Sequence, residues 1–571
     1  MSKFCDKLKD NSTQIPINFK DNQDISEQIK NQSKHFQIPL NSKTNPFQEE
    51  SQDDDDDITH ATLNYQIIET KKLNKESATK YGCKNKSQKK ISRIKDNQTD
   101  IAQENDIFQK SSKEDFKQLL KSCIENALSY LLEYIPNIFT LYLINNNTNQ
   151  IEASGFGLGV IWINCIGQSL YYGLGSGFET LAAHAHGAGN YKQVGLLYQR
   201  TLFISMIMFI PIFSCIIFSE NILQLWNSDI RICRQAANFS ISALLGVFFG
   251  AIAFQFKASL NAQNIYDLQY KAVVWTIPFN LLTSYFLISQ LKLKVNGGGL
   301  TFCCTQLTQL VLLYYLVKQD SQYQKCYIPF DNRCMQEIVP FLKDVIPIES
   351  LLTLEWVVYE SFSMLASNLP PAQFSAHIIL SNFNIIYYQI PEGFSITTST
   401  FVGNEMGNNM PNRAKRFARY GLIIAFLNFS ITLIPILYFK QEIIQTFSVD
   451  EEVFIIVDQA YIVFVIVVIC DSSQVMLTCL MRAIGKEYYS SVSFILCYIF
   501  LGVFSAYLLT YHLDFQIYGI LFGTIIGCLS YNLLQIHQLY KSNWHMLAQF
   551  IKERIDSHDQ QELEDIKQNL I

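Results

Sequence analysis

Long apolar segments without a charged residue dominate the sequence after its first 115 residues. Examples are the runs 201–219, 235–256 and 488–511, each close to the roughly 20 residues that a helix needs to cross a bilayer. Backbone groups in lipid must be hydrogen-bonded within their own segment, so these runs predict helices. The sequence therefore predicts an all-α polytopic membrane protein. It excludes a secreted disulfide scaffold, a nucleic-acid binder and an ordinary cytosolic enzyme.

Twelve apolar segments predict twelve transmembrane helices. The predicted spans are residues 119–144, 155–178, 199–219, 235–256, 271–291, 297–317, 340–366, 373–399, 418–439, 455–480, 488–511 and 515–539. We predict two six-helix lobes, at 116–317 and 340–540, joined by a linker at 318–339. The polar segment 1–115 predicts a disordered tail, and 541–571 predicts a short amphipathic helix at the membrane surface followed by a tail. Basic residues concentrate in the loops on one side, which predicts a cytoplasmic linker and cytoplasmic termini.

An internal repeat relates the two predicted lobes. The segment ETLAAHAHGAG begins at Glu179, and STFVGNEMGNN begins at Ser399, an offset of 220 residues. The segments LNA at 260–262 and LMR at 480–482 match at the same offset. The two lobes are therefore predicted to be pseudo-symmetric copies of one unit in the same membrane orientation. In transporters with such repeats the substrate site lies between the halves, near the middle of the membrane.

These motifs resemble those of the MATE family, the multidrug and toxic compound extrusion transporters, and especially its eukaryotic branch. They are ETLAAHAHGAGNY at 179–191, LEWVVYE at 354–360, IPEGFSITTSTFVGNEMG at 390–407 and LMRAIGK at 480–486. The resemblance covers about 119–540. This chain has Phe401 where the family usually has Arg, and His184 and His186 where it usually has Gln and Tyr.

Ionisable residues within the predicted spans mark the candidate site, because each costs about 2.5–3.5 kcal/mol at the centre of a membrane helix. They include Glu355 and Glu360 in span seven, Asp471 in span ten and Glu133 in span one. Glu355 and Glu360 are roughly 140° apart on a helix, so they do not both point at one site. The resemblance implies that Glu355 and Asp471 bind the coupling proton. The alternative is that neighbouring polar groups simply satisfy each carboxylate.

Other polar residues receive weaker predictions. The resemblance assigns Asn382 to a position that contacts the acids, with an ordinary interhelical hydrogen bond as the alternative. Glu133 is predicted to line the cavity, whereas no family role can be carried over to Glu392. His184 and His186 are roughly 200° apart on a helix, unlike a pair of metal ligands three or four residues apart. They are predicted to lie at a solvated helix end, with pH sensing as the alternative.

The predicted function is that of a secondary-active antiporter that exports organic solutes in exchange for protons by alternating access. Organic cations and xenobiotics are favoured, because spans seven to ten contain acids and no deeply placed Lys or Arg. No metal or cofactor is expected. Coupling to Na⁺ is disfavoured, because the segment 135–144 lacks the acid that bacterial relatives often carry there.

Two other functions compete with this prediction. A flippase for a lipid-linked sugar or another amphipath would need basic residues in its cavity to bind phosphate. A membrane-embedded acyltransferase-like enzyme would need a His with partner residues, and His377 has no such motif around it. The sequence therefore predicts a monomeric transporter rather than an enzyme, in the plasma membrane or a vacuolar or vesicular membrane. Its partners would be a small organic substrate and the lipid bilayer, and not a nucleic acid.

Overall fold

The computed structural model describes residues 84–225, 229–335, 338–447 and 451–569, and within them the secondary structure is helical. Most of the predicted disordered tail, residues 1–83, lies outside this part. The first described helix begins at Lys84, well before the predicted start of the first lobe at residue 116. The chain divides into the units Met1–Ala102 and Gln103–Ile571, and the packing reported below is within the second unit.

Thirteen long helical segments follow one another in the described part of the chain, and we number them α1 to α13. In the first half they are α1 (Lys84–Asn147), α2 (Gln150–Ile163, π-helical Asn164–Gln168 and Ser169–Gly187), α3 (Tyr191–Ile217), α4 (Ile230–Ala262), α5 (Asp267–Ser284 and π-helical Tyr285–Gln290) and α6 (Lys294–Gln319). In the second half they are α7 (Ile338–Ala366), α8 (Pro371–Gly407), α9 (Pro411–Tyr438), α10 (Glu451–Ala483), α11 (Glu487–Phe494, π-helical Ile495–Val503, Phe504–Tyr507 and π-helical Leu508–His512) and α12 (Ile517–Lys541). The last is α13 (Trp544–Asn569).

Within the described residues, nine of these helices are long and apolar enough to cross a membrane. The other three that the twelve predicted spans require are α2, α7 and α8, which are long but more polar. These three helices pack against one another at the contact between the halves. A helix that faces protein rather than lipid can carry polar groups, which explains their composition. The prediction of an all-α polytopic membrane fold is confirmed.

The two halves are built around equivalent central helices. In the first half α4 packs against α2, α3 and α6, and in the second half α10 packs against α8, α9 and α12. Each helix of the second set lies six positions after its counterpart in the first. This equivalence is what two parallel copies of a six-helix unit produce.

The halves meet where α2 and α8 end. A Cβ added to Gly187 would lie 1.8 Å from the carbonyl oxygen of Asn404, and one added to Gly407 would lie 2.0 Å from that of His184. The two contacts are equivalent under the 220-residue offset, because Gly407 is the counterpart of Gly187 and Asn404 is the counterpart of His184. The contact is therefore self-complementary, as expected about a two-fold axis.

Side chains around this contact connect both halves to the C-terminal helix. His184 is 1% exposed; its Nε2 lies 2.8 Å from the carbonyl oxygen of Ala483 and its Nδ1 3.3 Å from Arg554 Nη2. His186 Nδ1 lies 2.7 Å from Asn404 Oδ1. The prediction of a solvated helix end is wrong for His184, which is buried because the repeated segments pack against each other, whereas His186 is half-buried in the last turn of α2.

The predicted amphipathic helix after residue 541 is α13, and its apolar face packs against protein. Trp544, Ala548 and Ile551 are buried in a core shared with α1, α8, α9 and α10. Met546 and Phe550 on the same helix are more than 60% exposed. The helix thus covers the end of the bundle where α2 and α8 meet.

The reciprocal glycine contact predicts a position-specific stability loss. Gly187→Ala and Gly407→Ala should each lower stability by about 1–3 kcal/mol, the usual effect of overpacking. The control is Gly157→Ala on α2, because a Cβ there meets no atom within 4 Å, and alanine favours a helix. Thermal unfolding of the purified protein measures the difference. A melting temperature for Gly187→Ala equal to that of Gly157→Ala would contradict the close contact.

Candidate functional site

Two acids of the second half are buried where α7, α8 and α10 meet. Glu355 on α7 is 8% exposed and Asp471 on α10 is 3% exposed. The two carboxylates interact electrostatically. Two like charges in a low-dielectric interior repel each other strongly, so their surroundings must compensate at least one of them or supply a cation.

Neutral donors from two helices surround the Asp471 carboxylate. The hydroxyl of Tyr359 on α7 donates a hydrogen bond of 2.5 Å to Oδ1. The amide of Asn384 on α8 donates one of 2.9 Å to Oδ2. Both carboxylate oxygens therefore have partners, and neither partner is a cation. We call Asp471, Tyr359 and Asn384 the Asp471 cluster.

The Glu355 carboxylate has a similar set of neutral donors. Gln474 Nε2 on α10 lies 3.0 Å from Glu355 Oε1, and the hydroxyl of Tyr388 on α8 lies 3.4 Å from the same oxygen. The hydroxyl of Tyr498 on α11 donates to Gln474 Oε1, which orients the amide toward the acid. We call Glu355, Gln474 and Tyr388 the Glu355 cluster.

Helical spacing explains why the two clusters are adjacent. Each of α7, α8 and α10 supplies one residue to each cluster, and the two residues are three or four positions apart. The pairs are Glu355 with Tyr359, Tyr388 with Asn384, and Gln474 with Asp471. Residues at this spacing are neighbours on one helical face. The clusters therefore lie about one helical turn apart, with their acids contributed by different helices.

Two residues predicted for this site lie elsewhere. Asn382 is on an exposed face of α8, and it is Asn384, roughly 200° further around the helix, that reaches Asp471. Glu360 is exposed on α7, whereas Glu355 is buried. Helical geometry separates them as predicted, and Glu360 interacts electrostatically with Cys165 of the first half.

Glu133 belongs to a separate site in the first half. Both of its carboxylate oxygens accept from Lys257 Nζ on α4, at 2.7 and 2.6 Å. Gln309 on α6 donates to Oε1 at 3.2 Å. Glu133 thus lines a small cavity of the first half, apart from the two acid clusters, and its partner Lys257 lies just beyond the end of the predicted fourth span at residue 256.

A third polar group lies between the halves and was missed by sequence reasoning. Arg482 on α10 is 6% exposed and interacts electrostatically with Glu179 on α2 and with Glu355. Asn261 on α4 donates to Glu179 Oε2 at 3.2 Å. Glu392 on α8 also interacts with Arg482. Arg482 is therefore a buried cation close to these acids that the analysis of spans seven to ten did not include, because the predicted tenth span ends at residue 480 whereas α10 continues to Ala483.

One member of this group is visible in the sequence, because Glu179 is the first residue of the repeated segment ETLAAHAHGAG. Its counterpart at the 220-residue offset is Ser399, which is neutral, so at this position of the repeat only α2 carries an acid. Arg482 likewise has the neutral counterpart Ala262. The two halves therefore differ in charge at these positions, although their helices are equivalent.

Comparisons with known proteins agree with the fold and the repeat. A family model described as MatE matches residues 122–286 and again 347–508, together more than half of the chain. Multidrug and toxin extrusion protein 1 of Oryctolagus cuniculus is 24% identical over 446 residues, covering 76% of this chain and 77% of the relative. Protein DETOXIFICATION 49 of Arabidopsis thaliana is 27% identical over 469 residues, covering 80% and 92%.

Solved structures show the same fold. The crystal structure of the eukaryotic MATE transporter AtDTX14 matches with a TM-score of 0.74 at 20% identity, covering 78% of this chain and 99% of the other. A MOP superfamily transporter from Pyrococcus furiosus matches with a TM-score of 0.67 at 16% identity, covering 75% and 97%. The family model covers both halves, and its two matches begin in α1 and α7. The chain is an integral membrane protein and belongs to the MatE family.

Proposed function

We propose that this protein is a secondary-active antiporter that exports organic solutes in exchange for protons. The observation that carries the proposal is the pair of buried acids, Glu355 and Asp471, each held by neutral donors from two helices where α7, α8 and α10 converge. A carboxylate in lipid that lacks a paired cation is costly to keep charged, so it favours a bound proton or a cationic solute. Relatives named as multidrug and toxin extrusion proteins support the export of small organic molecules.

The arrangement supports exchange because one carboxylate can hold either ligand. A proton entering from one side neutralises Glu355 or Asp471 and removes the attraction for a cationic solute. Loss of that proton to the other side restores the negative charge and the attraction. Tyr359, Asn384 and Gln474 hold the acids in place in both states, because their hydroxyl and amide groups can donate or accept hydrogen bonds.

Alternating access requires the contact between α2 and α8 to open and close. Gly187 and Gly407 form a small, self-complementary contact at one end of the bundle, and Arg482 interacts electrostatically with Glu179 across the same boundary. We assign this end to the cytoplasmic side, where the basic loops and both termini are predicted to lie. The protein would act as a monomer in the plasma membrane or in a vacuolar or vesicular membrane.

Neutralising either acid should uncouple transport from the proton gradient. Glu355→Gln and Asp471→Asn should each reduce solute efflux driven by a pH gradient by at least about tenfold, which corresponds to roughly 1.4 kcal/mol. The amides keep the shape of the side chains but do not cycle a proton. The measurement is efflux of a labelled organic cation from proteoliposomes under an imposed gradient.

Asp458→Asn supplies a matched control for this experiment. Asp458 is on α10 with Asp471 but pairs with Lys440 at 2.8 Å, away from the acid clusters. This variant should keep wild-type coupling. Gradient-driven efflux at the wild-type rate in both Glu355→Gln and Asp471→Asn would eliminate the two acids as the coupling site.

The two asparagines of α8 test which helical face carries the site. Asn384→Ala removes a hydrogen bond to a carboxylate, an interaction worth about 1.5–3 kcal/mol, and should reduce gradient-driven efflux by about tenfold or more. Asn382→Ala, two residues away on an exposed position, should leave efflux near the wild-type rate. The reverse ranking of the two variants would show that the Asp471 cluster is not the transport site.

The balance of charge predicts a preference for organic cations. Glu355 and Asp471 have no basic side chain among their hydrogen-bond donors in the described structure, and the nearby cation Arg482 is shared among three acids, Glu179, Glu355 and Glu392. The acid clusters therefore attract cations and repel anions, and low dielectric strengthens both effects. Paired assays should show faster transport of tetraethylammonium than of citrate or a glucuronide. Equal or faster transport of the anions would overturn this preference.

A further inference from the structure

The first half contains a small cavity, lined by both polar and apolar residues, that the proposed coupling site does not use. It has a volume of about 20 Å³, room for roughly one water molecule or a small ion. Its lining includes the ion pair of Glu133 and Lys257 together with the side-chain amides of Gln168, Gln306 and Gln309. Carboxylate and amide oxygens are the donors that hard cations bind in proteins.

The ammonium group of Lys257 lies against the Glu133 carboxylate, where a cation in this cavity would bind. Its Nζ lies 2.7 and 2.6 Å from the two oxygens of the Glu133 carboxylate. The Lys257 side chain is 10% exposed and that of Glu133 is 29% exposed, so the contact is partly shielded from solvent. A cation from solution would have to displace this ammonium from both oxygens in order to bind Glu133.

A partly buried ion pair of this kind needs an explanation beyond stability. Pairing two charges in a low-dielectric interior often contributes no more than well-packed apolar residues would, yet removing one partner leaves an uncompensated charge. The two residues are supplied by α1 and α4, and Gln309 on α6 donates a further hydrogen bond to the same acid. Three helices therefore converge on a carboxylate whose cation belongs to the chain itself.

We propose that Lys257 is a tethered cation that fills a latent monovalent-cation site at Glu133. With this ammonium in place, the first half neither binds Na⁺ nor exchanges a proton at Glu133. Exchangeable cations are then confined to the acid clusters of the second half. Only this last consequence rests on the proposed function, because the occupancy of Glu133 by Lys257 stands independently of transport.

Removing the ammonium should expose the latent site. Lys257→Ala vacates the space beside the cavity and leaves the Glu133 carboxylate with its amide neighbours. Replacing choline chloride by NaCl at constant ionic strength should then raise the melting temperature of the purified variant, because a ligand that binds only the folded state stabilises it. Retention of ²²Na⁺ by this variant should exceed that of the wild type at least tenfold.

Three further variants make the test specific. Lys257→Arg keeps a cation on Glu133, and the double variant Glu133→Gln/Lys257→Ala removes the carboxylate. Both should show the wild-type lack of response to Na⁺. If Lys257→Ala does not fold, Lys257→Gln replaces it, since its amide removes the charge while keeping a donor near Glu133.

Two results would overturn the proposal. One is a folded Lys257→Ala or Lys257→Gln protein that gains neither a Na⁺-dependent shift nor ²²Na⁺ retention. The other is a wild-type protein that already responds to Na⁺ through Glu133, so that Glu133→Gln abolishes the response. Because Na⁺ binding is measured without transport, its failure leaves the proposed exporter untouched. Failure of the Glu355 and Asp471 efflux tests likewise leaves the Na⁺ result standing.

Discussion

A charge within a membrane helix has to be paired, hydrogen-bonded or neutralised, and this constraint determines where the polar side chains of the structure lie. The second half meets it with neutral donors, so that Tyr359 and Asn384 hold Asp471 while Gln474 and Tyr388 hold Glu355. A group held in this way can still accept a proton or a cation. The donors fix the position of the carboxylate but allow it to be either charged or protonated.

The first half meets the same constraint in the opposite way. Lys257 supplies a full positive charge to Glu133, so Glu133 has little remaining attraction for a cation from solution. Two halves with equivalent helices thus differ in the chemistry of their interiors. A duplicated fold can keep its packing symmetry, as at Gly187 and Gly407, while exchangeable cation binding is concentrated in one copy.

The sequence predicted the fold and the two central acids, because both depend on strong local signals. Uncharged runs near 20 residues indicate membrane helices, and Glu355 and Asp471 stand out within such runs. The neutral partners Asn384 and Gln474 gave no comparable signal, since single polar residues are common in packed membrane helices. Asn382 was chosen for a role that belongs to Asn384, because no local pattern identifies which of the two faces the acids.

The buried cations were missed for a different physical reason. Hydropathy ended the fourth and tenth spans at residues 256 and 480, just before Lys257 and Arg482, whereas α4 continues to Ala262 and α10 to Ala483. A charged residue ends an apolar run in the sequence even when its helix continues and tertiary contacts bury it. Whether that residue lies in a loop or in a buried ion pair depends on the other helices, through partners such as Glu133 that are far away in sequence.

Arg482 shows how these separate sites can act on one another. Its guanidinium interacts with Glu179 of the first half and with Glu355 and Glu392 of the second, so it lies between the contact of the halves and the Glu355 cluster. Protonation of Glu355 would remove one negative charge from this group and leave Arg482 more strongly attracted to Glu179 across the boundary. Proton binding in one half would thereby strengthen the electrostatic contact between the two halves. Under the proposed function, a change of charge at Glu355 would therefore alter the attraction between Arg482 on α10 and Glu179 on α2.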